Sequence, residues 1–409
     1  MHDKNQQTKT QKTHLNWAML LVISTAYIAA VTNIQGFKAL LPFIQDDLMI
    51  TRAEAGLYST FYFLSAAVIA IFSGRITDAL GSKKGLLLGL AVLGVLMVLH
   101  SVAPVYFVLL VLGLLSGFAF SLITPSGNKG VIQLASKDKR AMAMGITQAG
   151  GGIGGVLGAV ALPFLGELFG WRQAVVFSGA LALLMAAFIA LAYRLPKTPD
   201  NTQVEATSRS FFQDVRCLLS NRMLLYVCII GLTFGATISA VTTHLPLYLT
   251  RDIGTTETVA GLGLALFQMG GILGHPGWGY VNDHFLRRNR RAGLLILGFL
   301  IALVCIFIGL VGAILPVSAI VFIPFVLGFI TLGIPALYFT TVGELVEEQM
   351  VGTATGLALI FIRTGNFVTP PIFGWVADLQ ESYHLSWLAL GLFAFLLTLS
   401  FYWLTRKET

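Results

Sequence analysis

The chain has 409 residues, 56% of them hydrophobic and only 11% charged, where an ordinary soluble domain carries about 25% charged residues. So little charge cannot cover a water-facing surface of this size, which excludes a soluble enzyme, a nucleic-acid binder and a disordered scaffold despite the net charge of +7. Three cysteines, Cys217, Cys228 and Cys305, lie in or beside apolar stretches and offer neither a disulfide framework nor a metal spacing. The polar N-terminus lacks the short apolar core of a cleaved signal peptide.

A membrane helix needs about 20 mostly apolar residues, because roughly 30 Å of hydrocarbon is crossed at about 1.5 Å per residue. Twelve such stretches are predicted in chain order: 17–44, 55–76, 85–103, 105–133, 141–165, 172–194, 223–249, 258–281, 292–313, 318–342, 353–378 and 385–405. Several exceed the bilayer's need, so tilt or protrusion is expected. The long polar break between Tyr193 and Arg222 divides them six and six, with an amphipathic stretch near Phe211–Leu219. The expected organisation is a tail (1–16), a first six-helix bundle (17–194), a linker (195–222), a second bundle (223–405) and a short tail (406–409). The fold class is thus an all-α membrane protein.

Lysine and arginine collect on the cytoplasmic side of membrane proteins. With the N-terminus inside, Arg52, Arg172 and Arg251 fall outside, Lys38, Lys129 and Arg363 fall within spans, and the other twenty of the 26 face the cytoplasm. Both termini are therefore expected to be cytoplasmic, and the basic residues act as topology determinants.

The halves resemble each other. After the second span the chain reads Gly74-Arg-Ile-Thr-Asp78-Ala-Leu-Gly81-Ser-Lys83-Lys84, and after the eighth Gly279-Tyr-Val-Asn-Asp283-His-Phe-Leu-Arg287-Arg288, the Gly–Asp pair recurring 205 residues later. Pro125 pairs with Pro335 and Gly145 with Gly356 in the same way. Duplicated halves of this kind mark secondary transporters that rock about a midplane site. The loop, its degenerate copy and Gly170-Trp171-Arg172 resemble the major facilitator superfamily over essentially the whole chain. That resemblance implies twelve transmembrane helices as two pseudo-symmetric six-helix bundles and transport by alternating access. It also implies a cytoplasmic latch at Asp78, with Gly74, Gly81, Lys83 and Lys84, and Asp283 and Arg287 of the second copy, as gating residues. The other reading is that these residues cap helices and set topology.

Departures from the family's pattern narrow the subclass. No arginine stands near Gly113 in span four, and span five carries Gly150-Gly-Gly-Ile-Gly154-Gly155-Val-Leu-Gly158 in place of the Gly-Pro pair of drug/proton antiporters. Drug efflux is disfavoured, and these glycines are expected to pack helices closely. The run from Thr124 to Lys129 and on through Arg140 to Gln148 resembles the cyanate-permease-like and organic-anion branches. Arg363 resembles the span-eleven cation of the oxalate/formate exchanger branch, but span eight offers only Gln268 and His275 where a companion arginine is often found.

A charge at the bilayer centre costs about 2.5–3.5 kcal/mol on insertion scales. Arg363 is predicted near the midplane, Lys38 in the outer third of span one and Lys129 in the inner third of span four. All nineteen acids fall in loops, tails or helix ends. An arginine cannot shed its proton, so buried cations without buried anions need a counter-charge. A transported anion supplies one, guanidinium pairing bidentately with carboxylate and lysine adding a point charge. The alternatives are that Lys38 and Lys129 snorkel to opposite interfaces and that Arg363 holds helix carbonyls. Helical spacing adds Tyr27, Gln35, Asn128 and Asn366 as contributors, and the resemblance, which implies a cavity lined by spans one, four, seven and ten and flanked by two, five, eight and eleven, adds Gln148, Gln268 and Tyr338, each with an interhelical hydrogen bond as its other reading. His244 is a coupling candidate because an ordinary imidazole titrates near neutrality.

The expected function is a secondary transporter of a small, carboxylate-type anion, coupled to a co-transported proton or an exchanged anion. The alternative is a carrier of a neutral or cationic solute in which the cations are structural. A membrane acyltransferase lacks its His-x-x-x-x-Asp signature at all seven histidines, and a transport-fold sensor has only the linker and tails with which to signal. No enzyme activity, metal, cofactor, nucleic acid or partner subunit is expected. The expectation is a monomer in a lipid bilayer, from its compactness and short loops a bacterial inner membrane.

Overall fold

The computed structural model describes residues 17–135, 139–194, 211–286, 289–347 and 350–406. The tails 1–16 and 407–409, linker residues 195–210 and the gating candidate Arg287 lie outside the described residues.

The first predicted span becomes α1 (Trp17–Ala39) and α2 (Leu41–Leu48), separated at Leu40. Pro42 stands in the first turn of α2, where its missing N–H leaves no hydrogen bond unmade. The next two spans form one 49-residue helix, α3 (Arg52–His100), folded back at Gly81, whose φ of 77° belongs to the left-handed region that glycine enters without a Cβ penalty. The expected loop between them is therefore a single-residue turn. Then come α4 (Tyr106–Leu134), α5 (Arg140–Phe169) and α6 (Trp171–Ala192), the last two separated only by Gly170 at φ 85°. The linker holds α7 (Phe211–Ser220), where the amphipathic stretch was expected.

The second half runs α8 (Arg222–Arg251), α9 (Glu257–His284), α10 (Arg290–Val311), α11 (Val317–Thr331), α12 (Ile334–Glu344), α13 (Val351–Gln380) and α14 (His384–Thr405). Its tenth predicted span is broken at Leu332–Gly333, just before Pro335 restarts the helix as α12. Among the described residues, ten helical segments are long and apolar enough to cross a bilayer. The 52–80 limb of α3 and the α11–α12 pair supply two more passes, making twelve among the described residues. In hydrocarbon every backbone N–H and C=O must find its partner inside the segment, which is why these apolar stretches are helical throughout.

In the first bundle α3 packs on α4 and α6, and α1 on α5; in the second α8 packs on α13, α9 on α11 and α10 on α14. Helix α5 shows how its sequence divides its faces. Ile153, Leu157, Val160, Phe164 and Leu168 recur every three or four residues and are exposed, as a lipid-facing stripe requires. On another face Gly150, Gly154 and Gly158, four apart, meet the carbonyl oxygens of Ser24, Ile28 and Thr32 on α1, so close that a Cβ on Gly154 would lie 2.3 Å from the Ile28 oxygen. Thr32 Oγ1 donates to the Gly154 carbonyl across this seam at 3.1 Å.

Gly154→Ala forces α1 and α5 apart, an overpacking change of about 1–3 kcal/mol, and is expected to lower the unfolding temperature in detergent by several degrees. Gly145→Ala on the same helix, where nothing lies within 4 Å, is expected to leave it unchanged or slightly raised.

Candidate functional site

The two bundles touch mainly at one face, the one remote from the chain termini. There the first turn of α3 has two ways of satisfying its N–H groups. Thr51 and Glu54 form a reciprocal capping box. Asp378, in the last turn of α13, accepts from the backbone N–H groups of Arg52 at 2.9 Å and Ala53 at 2.8 Å. The Arg52 guanidinium reaches back to the carbonyls of Ala377 at 3.2 Å and Glu381 at 2.9 Å, and lies 3.8 Å from Asp252. Each bundle thus caps a helix end of the other. Gly374 permits the approach, since a Cβ there would lie 2.3 Å from the Arg52 oxygen. Beside this latch Arg251 bonds Asp46, Gln45 and the Pro42 carbonyl, and Glu167 accepts from the N–H of Thr258. A depression of about 310 Å³ above the seam is lined by Gln45, Asp46, Met49, Ile50, Arg52, Arg251 and Asp378.

One layer deeper, Ser59 and Thr243 share a 2.7 Å hydrogen bond, and Thr60 donates to the Phe367 carbonyl at 2.6 Å. Deeper still are the embedded cations. Lys38, 1% exposed, donates to Thr242 Oγ1 of the other bundle at 2.8 Å. Its ammonium lies 4.7 Å from the centre of the Phe63 ring, and the Arg363 guanidinium lies 5.9 Å from the same ring. The structure thus brings Lys38 of the first bundle and Arg363 of the second together around one aromatic side chain of α3. Among the described residues neither makes an ion pair, and Arg363 makes no hydrogen bond. The buried hydroxyl of Tyr62, next to Phe63 in the chain, has no hydrogen-bond partner among the described residues. One turn from each cation stands an amide, Gln35 and Asn366, whose side-chain oxygens are buried and unpartnered.

The other candidates disperse. Tyr27 donates to the Thr124 carbonyl at 2.9 Å and lies 3.2 Å from Asn128 Oδ1, tying α1 to α4 within one bundle. Tyr338 is fully buried and donates to the carbonyl of Ala358 at 3.2 Å, holding α12 to α13. Gln268 packs across the bundles against Gly155, while Gln148 is exposed. His244 does not face an aqueous path: it is 0% exposed, its Nε2 donates to the Pro370 carbonyl at 2.7 Å, and its Nδ1 lies 3.1 Å from the Tyr383 hydroxyl. Both ring nitrogens are spent on holding the second bundle together.

At the opposite face, nearer Trp17 and Arg406, several helix ends border open space. Cβ atoms on Gly145, Gly279, Gly352 or Gly356 would meet nothing within 4 Å. Asp78 pairs at 2.9 Å with Lys129 of α4 rather than with the loop lysines. Lys129 is thus an ion-pair partner and not a freely snorkelling cation. Lys83 donates to the Ala190 carbonyl at 2.8 Å, Lys84 is exposed, Gly74 lies within the first limb of α3, and Gly81 makes its fold-back. In the second copy Arg290 bridges Asp283 and Glu344, each at 3.4 Å.

Replacing Asp378 with alanine removes two cross-bundle caps and costs the closed face about 1–2 kcal/mol, the size of a lost helix cap. In a protein freed of Cys217, Cys228 and Cys305, a cysteine at Ser59, buried in the closed layer, is expected to react with a water-soluble thiol reagent about tenfold faster when Asp378→Ala is added. An unchanged rate would show that the latch does not hold this face.

The sequence profile of the Major Facilitator Superfamily matches residues 23–362 and 227–409. A hexuronate transporter of Bacillus subtilis (strain 168) is 22% identical over 387 residues, 91% of each chain. A protein of Cupriavidus necator named "Probable sulfoacetate transporter SauU" is 23% identical over 414 residues, 94% of this chain and 92% of its own. The architecture is similar to the crystal structure of a bacterial homologue of the human lysosomal transporter Spinster in its inward-facing, unoccupied conformation. The TM-score is 0.79 at 18% identity, over 95% of this chain and 96% of that one. The chain belongs to the Major Facilitator Superfamily and is a multi-pass membrane transporter, not an enzyme.

Proposed function

We propose that the protein carries a small organic anion of carboxylate type across the membrane by alternating access, with Arg363 as its principal ligand. The observation that carries this reading is the Arg363 guanidinium: it sits between the bundles beside Phe63 and Lys38, with no acidic partner among the described residues. A guanidinium cannot be neutralised by losing a proton, so an incoming carboxylate is the counter-charge it lacks. The two relatives are named for hexuronate and sulfoacetate, both organic anions.

The excess of lysine and arginine on the terminal side supports cytoplasmic termini in a bacterial inner membrane. The conformation is then inward-facing, with the Arg52–Asp378 latch closing the outer side and Asp78, on the opened inner side, exchanging its Lys129 partner for the second bundle when the halves rock. The acids at the bundle interface sit at helix ends rather than midway along the spans, and His244 is spent on structure. Coupling then runs through a proton that travels with the substrate or through exchange of one anion for another. The unit of transport is one chain.

The test is thermal stabilisation of the purified protein by mono- and dicarboxylates, inorganic anions and neutral sugars, repeated on Arg363→Gln and followed by uptake into proteoliposomes. Losing a charge-assisted hydrogen bond costs about 1.5–3 kcal/mol. Arg363→Gln is therefore expected to weaken the stabilising anions by about 10- to 100-fold and to abolish uptake while the protein stays folded. Stabilisation by neutral compounds alone, equal in both proteins, would make the cations structural and the substrate uncharged.

A further inference from the structure

Resting on the anion-carrier reading, we infer that the substrate is a hydroxylated carboxylate, such as a sugar acid or a related hydroxy acid, and that Gln35, Asn366 and Lys38 read its hydroxyl groups. The two cations differ in the company they keep. Arg363 has no hydrogen-bonded partner among the described residues. Lys38 already donates to a hydroxyl, that of Thr242 at 2.8 Å, and has two further N–H groups to give. A carboxylate is held bidentately by the planar guanidinium, while an ammonium serves hydroxyl oxygens equally well.

The amides carry the rest of the argument. Gln35 lies three residues before Lys38 on α1, and Asn366 three residues after Arg363 on α13, so each shares a helix face with its cation. Their side-chain oxygens are buried without a donor, and Asn366 is only 7% exposed. A plain carboxylate brings only acceptors and would leave both oxygens unsatisfied. A hydroxyl is donor and acceptor at once, so it can satisfy either end of an amide. The Tyr62 hydroxyl, also unpartnered and adjacent to the ring that both cations flank, adds one more group of the same kind. The amides belong to different bundles, so a ligand carrying several hydroxyls bonds to both halves at once.

The experiment compares three matched probes on the purified full-length protein by thermal stabilisation titration: glucuronate, with carboxylate and hydroxyls; glucose, with hydroxyls only; and cyclohexanecarboxylate, with the carboxylate only. Galacturonate and gluconate extend the first class, and sulfoacetate tests charge without hydroxyls. At least one hydroxylated carboxylate is expected to bind about tenfold or more tightly than cyclohexanecarboxylate, sulfoacetate or glucose. Gln35→Met and Asn366→Leu are each expected to weaken the hydroxylated carboxylate by about tenfold and to leave cyclohexanecarboxylate unchanged, a difference that general loss of packing would not produce. Arg363→Gln weakens both. Cyclohexanecarboxylate or sulfoacetate binding as tightly as every hydroxylated probe, or amide variants that weaken all carboxylates equally, overturns the inference and leaves the anion carrier standing. If no anion stabilises the wild-type protein, both readings fall.

Discussion

A permanently charged guanidinium between two apolar helix bundles is the constraint around which this transporter is organised. Its charge cannot be shed, and its neighbours supply an aromatic ring, a phenol and a second cation. Desolvated without a counter-charge, such a group would be costly. On the proposed reading, a bound carboxylate supplies that counter-charge. The helices do not need the cation; their stability comes from apolar faces turned to lipid and small-residue seams such as Gly150–Gly154–Gly158 against α1. Carriage and scaffold are thereby separated, and the polar chemistry is confined to the surface along which the halves move.

That surface is built in layers. Ion pairs and helix caps lie at the rim, hydroxyl-to-hydroxyl and hydroxyl-to-carbonyl contacts below them, and the Lys38–Thr242 bond lies deepest, at the edge of the candidate site. The closed face is made chiefly by α3 with α13 and α5 with α9. On the proposed reading, alternating access would require a comparable seam to form at the other end.

The spans, their six-and-six division and the family are legible in the residues because hydropathy over 20 positions and the repeated Gly–Asp loop are local signals. Arg363 and Lys38 are legible for a similar reason: a charge in an apolar run stands out. What the chain does not disclose is pairing across distance. Arg52 and Asp378 are 326 residues apart and read individually as loop charges at helix ends; only the packed structure makes them each other's caps. Lys129 looks like a snorkelling lysine until α4 is placed beside the end of the first limb of α3, where Asp78 meets it. His244 has the ordinary chemistry of a proton relay, but its burial against Pro370 and Tyr383 is a tertiary fact. The fold-back at Gly81 and the break at Gly333 are backbone events that hydropathy averages away.

The closed-face latch relies largely on backbone groups: two N–H donors and two carbonyls, bound by one carboxylate and one guanidinium. The Asp78–Lys129 pair at the other face is a bare ion pair with the carboxylate 76% exposed, the kind worth about 0–1 kcal/mol and weakened by salt. Mobile ions screen charges over about 8 Å at physiological ionic strength, but they compete poorly with a carboxylate seated on a helix terminus. The two faces therefore answer differently to the electrolyte around them. Raising ionic strength loosens the exposed pair within the first bundle first and leaves the capped seam between the bundles largely intact.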